Sequence, residues 1–260
     1  MPMAKNKKWT KEYLVNNFKQ NKFMYLMLLP VVAYYLIIHY WSMGWLSISF
    51  FDYKLLKGFA GSKFVGLANF DKFVKGLNFG NVIGNTLLLN FYSLVFYFPM
   101  PIIFALLLNE LKNLKFKKFV QTVSYMPHFL SAVVLVSIMN VMLSPSTGFL
   151  NGFLKSLGFD SIYFMGDAKW FRTVYVASVI WQETGWAAIT YISTLSGIDQ
   201  GLYEAAKMDG AGKLRQIWHI SLPGIRETII LLLIMRVGNM INLTFEKPYL
   251  MQNALNTSVS

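Results

Sequence analysis

Three stretches of this chain contain no Asp, Glu, Lys or Arg: Phe23 to Phe51, Gly76 to Asn109 and Phe119 to Leu154. Two further apolar runs, Val174 to Leu195 and Thr228 to Phe245, each carry a single charge, Glu183 and Arg236. The apolar positions are nearly continuous rather than striped, so no helix face is reserved for water. A helix needs about 20 predominantly apolar residues to cross a bilayer, and each run approaches or exceeds that length. The pattern predicts membrane-spanning helices near 23–43, 83–108, 119–143, 174–195 and 228–245, which makes the chain an all-α polytopic membrane protein, a bundle of transmembrane helices.

The polar stretches between the runs set the expected orientation. Basic residues crowd at Lys5, Lys7, Lys8, Lys11, Lys19 and Lys22, and again at Lys112, Lys115, Lys117 and Lys118. Such clusters beside spans mark cytoplasmic segments. They place the basic tail 1–22, the 109–118 loop and the 196–226 loop in the cytoplasm, and 44–82, 144–173 and the stub after Phe245 outside. Lysines in 44–82 (Lys54, Lys57, Lys63, Lys72, Lys75) make this a bias rather than a strict partition. Within that loop "FVGLANFDKFV" (64–74) is amphipathic and reads either as an interfacial helix or as an ordinary packed connection. The 144–173 stretch mixes Gly, Ser and Asp with aromatics and reads as an external cap. The first span is too long for a cleaved signal and no small-x-small site follows it, so it reads as a retained anchor.

Composition adds exclusions. The chain is 55% hydrophobic and 14% charged, a low charged share for a soluble domain. A net charge of +12 would suit nucleic acid, but the charges sit beside spans and no basic-aromatic binding motif occurs, so no nucleic-acid partner is expected. The absence of cysteine removes disulfides and thiolate metal sites. The tetrapeptide Gly210-Ala211-Gly212-Lys213 is not a phosphate loop, because Lys207 stands where Gly is needed and Leu214 where Ser or Thr is needed.

The 196–226 loop is the least expected segment, polar and compact between two apolar runs. Asp199 is placed to cap a short helix running through Tyr203 and Met208. Gly210 is placed to end it in the left-handed region, which disfavours side chains. Lys213 to Ile220 can form a second helix with Leu214, Ile217 and Trp218 on one face, continued by Leu222 and stopped by Pro223. Ala205, Ala206 and Ala211 keep the surface low. The shape suits insertion into a partner's cleft. A solvated hairpin, with Glu204 and Lys207 as an exposed i,i+3 pair, is the plainer account.

At these residues the chain resembles a known family. Glu204-Ala205-Ala206, then Asp209-Gly210-Ala211, then Ile220-x-Leu222-Pro223 match, in type and spacing, the EAA loop of ABC importer permeases. The resemblance implies a type I ABC importer permease-like fold with a cytoplasmic coupling helix, and assigns ATPase coupling to Glu204, Ala205, Ala206, Asp209, Gly210, Ala211, Ile220, Leu222 and Pro223. "FVGLANF" (64–70), "YMPHF" (125–129) and "FEKPYLMQN" (245–253) are similar to segments of the branch that imports sugars and oligosaccharides. The similarity reaches from about residue 64 to the chain end. It implies a permease core over 83–260 and a sixth span expected beyond Ser260. It also implies two ATPase subunits carrying ATP and Mg, a second permease in a heterodimer, an extracytoplasmic solute-binding protein, and a bacterial cytoplasmic membrane location. No cofactor and no catalytic residue are expected on this chain.

Charges inside spans cost about 2.5–3.5 kcal/mol on insertion scales and commonly face an interior. Gln182, Glu183 and Trp186 on the fourth span, with Arg236, Asn239 and Asn242 on the fifth, could line a saccharide path, since amides bind hydroxyls and indoles stack on C–H faces. A Glu183–Arg236 ion pair holding the bundle together is the competing account. His128 and His39 read as satisfied polar contacts rather than proton relays, and Asn90 and Asn140 as helix bridges. Rival functions are an ion-coupled secondary transporter, whose broken helices and repeated halves are not seen, and a membrane-embedded transferase, whose catalytic motifs are not recognised.

Overall fold

The structure is a computed structural model that describes residues 17–18, 20–59, 61–76, 79–240 and 246–256. It divides into two units, residues 1–76 and 77–260.

In the first unit, helix α1 runs unbroken over Lys22–Phe50, 29 residues, about 43 Å at the α-helical rise, and so passes the expected end at residue 43. Its last turns tighten over Trp45–Phe50 before Phe51 becomes extended, with φ −118° and ψ 149°. Phe51–Asp52 (β1) then pairs antiparallel with Lys63–Phe64 (β2). Asn69, in helix α2 (Ala68–Val74), donates through Nδ2 to the carbonyls of Ser49 at 3.0 Å and Phe51 at 2.9 Å. The Ser49 carbonyl is one that a helix end leaves without an intrahelical donor. The aromatic rings of Phe51 and Phe64 meet edge-on at 5.2 Å, so within this unit the "FVGLANF" stretch folds back onto the end of α1.

In the second unit, α3 spans Phe79–Asn109, 31 residues. A wider π turn over Ser93–Tyr97 precedes Pro99, with the Phe98 amide reaching the Ser93 carbonyl at 3.2 Å. Proline lacks an N–H and crowds the carbonyl four residues back, and the wide turn relieves that crowding.

The third apolar run, expected as one span over 119–143, is broken. Leu114–Phe129 (α4) and Ala132–Met142 (α5) meet at 105°. Pro127 sits in a tight 3-10 turn over Met126–Phe129, and Leu130 is extended. Ser131 caps α5, its Oγ accepting from the Val134 amide at 3.3 Å. A proline followed by a serine cap is a helix stop and restart, and the apolar side chains around it hide the signal from hydropathy.

Phe149–Ser156 (α6) follows, held by Asn151, which is 1% exposed. Asn151 Nδ2 donates to the carbonyls of Leu143, Ser144 and Ile162, and its Oδ1 accepts from the Ile162 amide at 2.8 Å. Helix α7 covers Ala168–Ser196, 29 residues, capped by Asp167 and starting six residues before the expected 174. The polar insert forms α8 (Gln200–Met208) and α9 (213–224). Helix α10 is Arg226–Gly238, 13 residues, about 20 Å long. The expected fifth span, 228–245, therefore holds a described helix only to Gly238, and 241–245 lie outside the described residues. Glu246–Met251 forms α11.

Among the described residues, α1 and α3 are each long and apolar enough to cross a membrane, with α4 and α5 a third if the bent pair counts as one span. Helix α7 has the length, but Gln182, Glu183 and its threonines dilute its apolar character.

Two apolar clusters sit along α7. Leu89, Leu135, Val136, Met139, Phe164, Phe171 and Val174 fill one, with Met251 of α11. Ala105, Leu106, Ala188, Tyr191, Leu195 and Ile225 fill the other, next to the insert. Between them α4 and α7 approach so closely that a Cβ on Gly185 would collide with the Ser124 carbonyl.

Candidate functional site

The insert is built as its sequence predicts at the start, and differently at the end. Asp199 Oδ1 accepts from the Gly201 amide at 3.0 Å. Helix α8 ends with the Ala211 amide on the Ala206 carbonyl at 2.8 Å and the Gly210 amide on the Lys207 carbonyl at 3.0 Å, while Gly210 takes φ +74°. This is the paired closure that a glycine just beyond a helix allows. Pro223, however, does not stop α9. The helix widens into a π turn over Ile217–Ser221, carries Pro223 at the next turn and bends at Ile225, φ −101° and ψ 5°. The wide turn again accommodates the missing N–H and the ring.

The two arms are pinned to each other by polar groups. The Tyr203 hydroxyl meets Ser221 Oγ at 2.9 Å, both buried. Gln216, 3% exposed, donates to the Ala211 carbonyl at 2.8 Å. Lys213 forms an ion pair with Glu110 at the end of α3, whose side chain is largely buried. None of these three ties is among the sequence expectations; a Tyr, a Gln and a Ser among apolar neighbours is the signal available.

The apolar stripe divides. Ile217 and Leu222 pack beneath with Ile198 into the core. Leu214 and Trp218 stay 75% and 68% exposed, with Met208 at 88% and Leu202 at 53%. Glu204 and Ala205 are exposed beside them, as are Asp209, Gly210 and Pro223, whereas Ala206, Ala211 and Ile220 are half-buried. Glu204 and Lys207 form no ion pair among the described residues. The elbow thus presents exposed apolar side chains and the Glu204 carboxylate on two short helices tied together by buried polar contacts.

A second polar group lies at the break between α4 and α5. The extended Leu130 cannot keep its carbonyl in a helix ladder, and Gln182 Nε2 donates to it at 3.1 Å. Lys247 of α11, buried, donates to Gln182 Oε1 at 3.2 Å. Glu183 Oε2 meets His128 Nδ1 at 2.8 Å, and the His128 ring stacks on Trp186 at 4.5 Å and 3°. Phe129 meets the same indole edge-on at 5.5 Å.

Gln182, Glu183 and Trp186 therefore come together, but around the break in the third apolar run rather than against the fifth. The expected Glu183–Arg236 ion pair is not formed. Glu183 takes His128, and the Arg236 guanidinium lies 5.5 Å from the Tyr97 ring centre. Asn239 donates to the Met235 carbonyl of its own helix at 2.9 Å, and Asn242 lies outside the described residues. His39 stacks on Tyr35 at 5.1 Å. Asn90 donates to Thr86 one turn back on its own helix and Asn140 is exposed, so neither bridges helices as expected. Asn85 does bridge two helices, its Oδ1 accepting from Arg172 Nη2 at 2.9 Å.

The family described as "Binding-protein-dependent transport system inner membrane component" matches residues 73–256. The chain is 43% identical over 254 residues to the polygalacturonan/rhamnogalacturonan transport system permease protein YteP of Bacillus subtilis (strain 168), covering 98% of this chain and 79% of the relative. It is 46% identical over 242 residues to Protein LplB of the same organism, covering 93% and 76%. Among solved structures it resembles a chain of a bacterial ABC transporter involved in the import of the acidic polysaccharide alginate, with TM-score 0.84 and 36% identity over 95% of this chain and 83% of that one. A second structure, the alginate transporter in complex with an alginate pentasaccharide-bound periplasmic protein, gives TM-score 0.82 and 36% identity over 94% and 81%. An exposed two-helix elbow set among apolar helices, matched over most of the chain by these transport components, shows that the protein is a membrane protein belonging to the binding-protein-dependent transport system inner membrane components, the permease subunits of ABC importers.

Proposed function

We propose that this chain is the permease subunit of an ATP-driven importer that receives an oligosaccharide from an external solute-binding protein. The observation that carries the proposal is the elbow formed by α8 and α9. Its Glu204, Ala205, Asp209 and Gly210 are exposed among Leu202, Met208, Leu214 and Trp218, and it stands on a buried Tyr203–Ser221 footing. Such a projection transmits force in both directions, because its arms are tied to each other and, through Lys213 and Glu110, to α3. In this reading the elbow lies in the cytoplasm and docks on one of two ATPase subunits, which hold ATP and Mg. A second, non-identical permease completes the membrane unit.

The relatives support the substrate class: YteP is named for polygalacturonan and rhamnogalacturonan and the solved transporter for alginate. The group at the α4–α5 break is the part of the path this chain supplies. Trp186 and Phe129 offer apolar rings, while Gln182, Glu183 and His128 offer donors and acceptors.

The test is reconstitution of the whole complex in proteoliposomes with its binding protein, reading saccharide-stimulated ATP hydrolysis. Glu204→Ala and Gly210→Pro are expected to abolish stimulation and weaken co-purification of the ATPase. Full stimulation in both variants, or uptake driven by an ion gradient without ATP, overturns the proposal.

A further inference from the structure

A cavity of about 490 Å³ opens beside the first half of α7, lined by Tyr92 and Phe96 of α3 and by Lys169, Arg172, Thr173 and Ile180 of α7. The α7 positions 169, 172, 173, 176 and 180 fall on one helix face. Neither cation is in an ion pair among the described residues. Arg172 is positioned from the neighbouring helix: its Nη2 donates to Oδ1 of the buried Asn85 at 2.9 Å, while its Nε is buried and has no hydrogen-bond partner. The near carboxylate, Asp167, is engaged at the α7 cap, where it accepts from the Lys169 amide at 2.9 Å. The guanidinium is half-buried, lines the cavity and has no carboxylate within ion-pair distance among the described residues, so its charge is left for an anionic group that enters the cavity.

We infer that this cavity binds the carboxylate of an acidic saccharide, a hexuronate unit, at the mouth of the path. Arg172 and Lys169 take the carboxylate, and Tyr92 and Phe96 take the C–H face of the ring. Guanidinium–carboxylate pairing is charge-assisted and directional, and aromatic rings beside it suit a pyranose better than a free inorganic anion. This inference rests on the import reading and specifies its substrate. Lys169 and Arg172 lie in the first turns of α7, at the end away from the elbow. In the proposed orientation that is the face on which the binding protein delivers.

The assay is uptake by the complete complex with saturating binding protein, using oligogalacturonate and its methyl ester, the same sugar without the charge. Arg172→Gln and the exposed-site variant Lys169→Gln are each compared with the unaltered complex, and co-purification of all subunits monitors assembly. The expected result is a rise of about tenfold in the half-saturating concentration of the free acid for Arg172→Gln. A smaller rise is expected for Lys169→Gln, with no change for the ester in either variant and a milder defect in Arg172→Lys. Transport of both sugars with neither variant altering either sugar overturns the site and leaves the importer reading standing. Equal losses for acid and ester that follow the anionic phospholipid content of the vesicles assign the cavity to lipid and overturn the inference. No ATP-dependent transport of either sugar by the assembled complex removes the importer reading, and the inference with it.

Discussion

Gly185 shows how a single residue fixes a helix crossing. Any Cβ at that position meets the Ser124 carbonyl, and backbone cannot swing aside as a side-chain tip can. Gly185→Val is therefore expected to destabilise the bundle by about 1–3 kcal/mol, as overpacking does, visible as a lowered thermal midpoint in detergent; an unchanged midpoint would mean that α4 and α7 are not in contact. Trp186 is the corresponding residue for function. The residue is 42% exposed, with His128 stacked on its indole and Phe129 edge-on to it, which leaves part of the ring open to a sugar. Trp186→Ala is expected to raise the half-saturating saccharide concentration by about three- to tenfold, the range for loss of one aromatic contact, with assembly intact. Measured uptake kinetics that match the unaltered complex would remove Trp186 from the path. Sequence named this residue but not its partner, because His128 and Trp186 are brought together only by the break at Leu130.

At the scale of elements, helix ends carry most of the information. Asp199, Asn113, Ser131 and Asp167 each accept from first-turn amides, and Gly210 closes α8. Prolines behave less simply. Pro99 and Pro223 are absorbed behind π turns, whereas Pro127 sits at a break. Whether a proline widens a helix or ends it depends on the residues C-terminal to it: Ser131 offers a new cap after Pro127, whereas Pro223 leads into a core-facing Ile225 that is fully buried. The elbow's footing can be tested at this scale. Tyr203→Phe leaves the buried Ser221 hydroxyl without its partner, expected to cost about 1–3 kcal/mol, and adding Ser221→Ala is expected to recover part of that loss. Thermal unfolding of the purified complex across this double-mutant cycle measures the coupling; strict additivity would show that the two hydroxyls do not act as a pair.

Across the whole second unit, the tie between Lys213 and Glu110 joins the elbow to the end of α3. If the elbow docks on an ATPase as proposed, this pair is a direct route by which its movement reaches α3. Lys213→Glu and Glu110→Lys, each placing like charges together, are expected to lower saccharide-stimulated ATP hydrolysis while leaving basal hydrolysis in place. The double exchange, which restores opposite charges, is expected to recover it. Recovery failing in a complex that assembles normally would show that the pair holds the loop in place without transmitting movement.

Hydropathy along the chain determined that this is a membrane protein and where its apolar runs lie, because desolvating backbone and charge in lipid leaves few sequences able to span. The motif from Glu204 to Pro223 determined the elbow, because caps, a left-handed glycine and low alanine surfaces are local properties that survive without tertiary context. Tertiary structure alone decided which polar groups meet. Glu183 chose His128 over Arg236, Arg172 found Asn85, and Lys213 found Glu110, each across a long separation in sequence. Those choices depend on a bend of 105° and on helix crossings set by a glycine. Hydrogen bonds and ion pairs act over a few ångströms, and one turn of a helix is enough to exchange one partner for another.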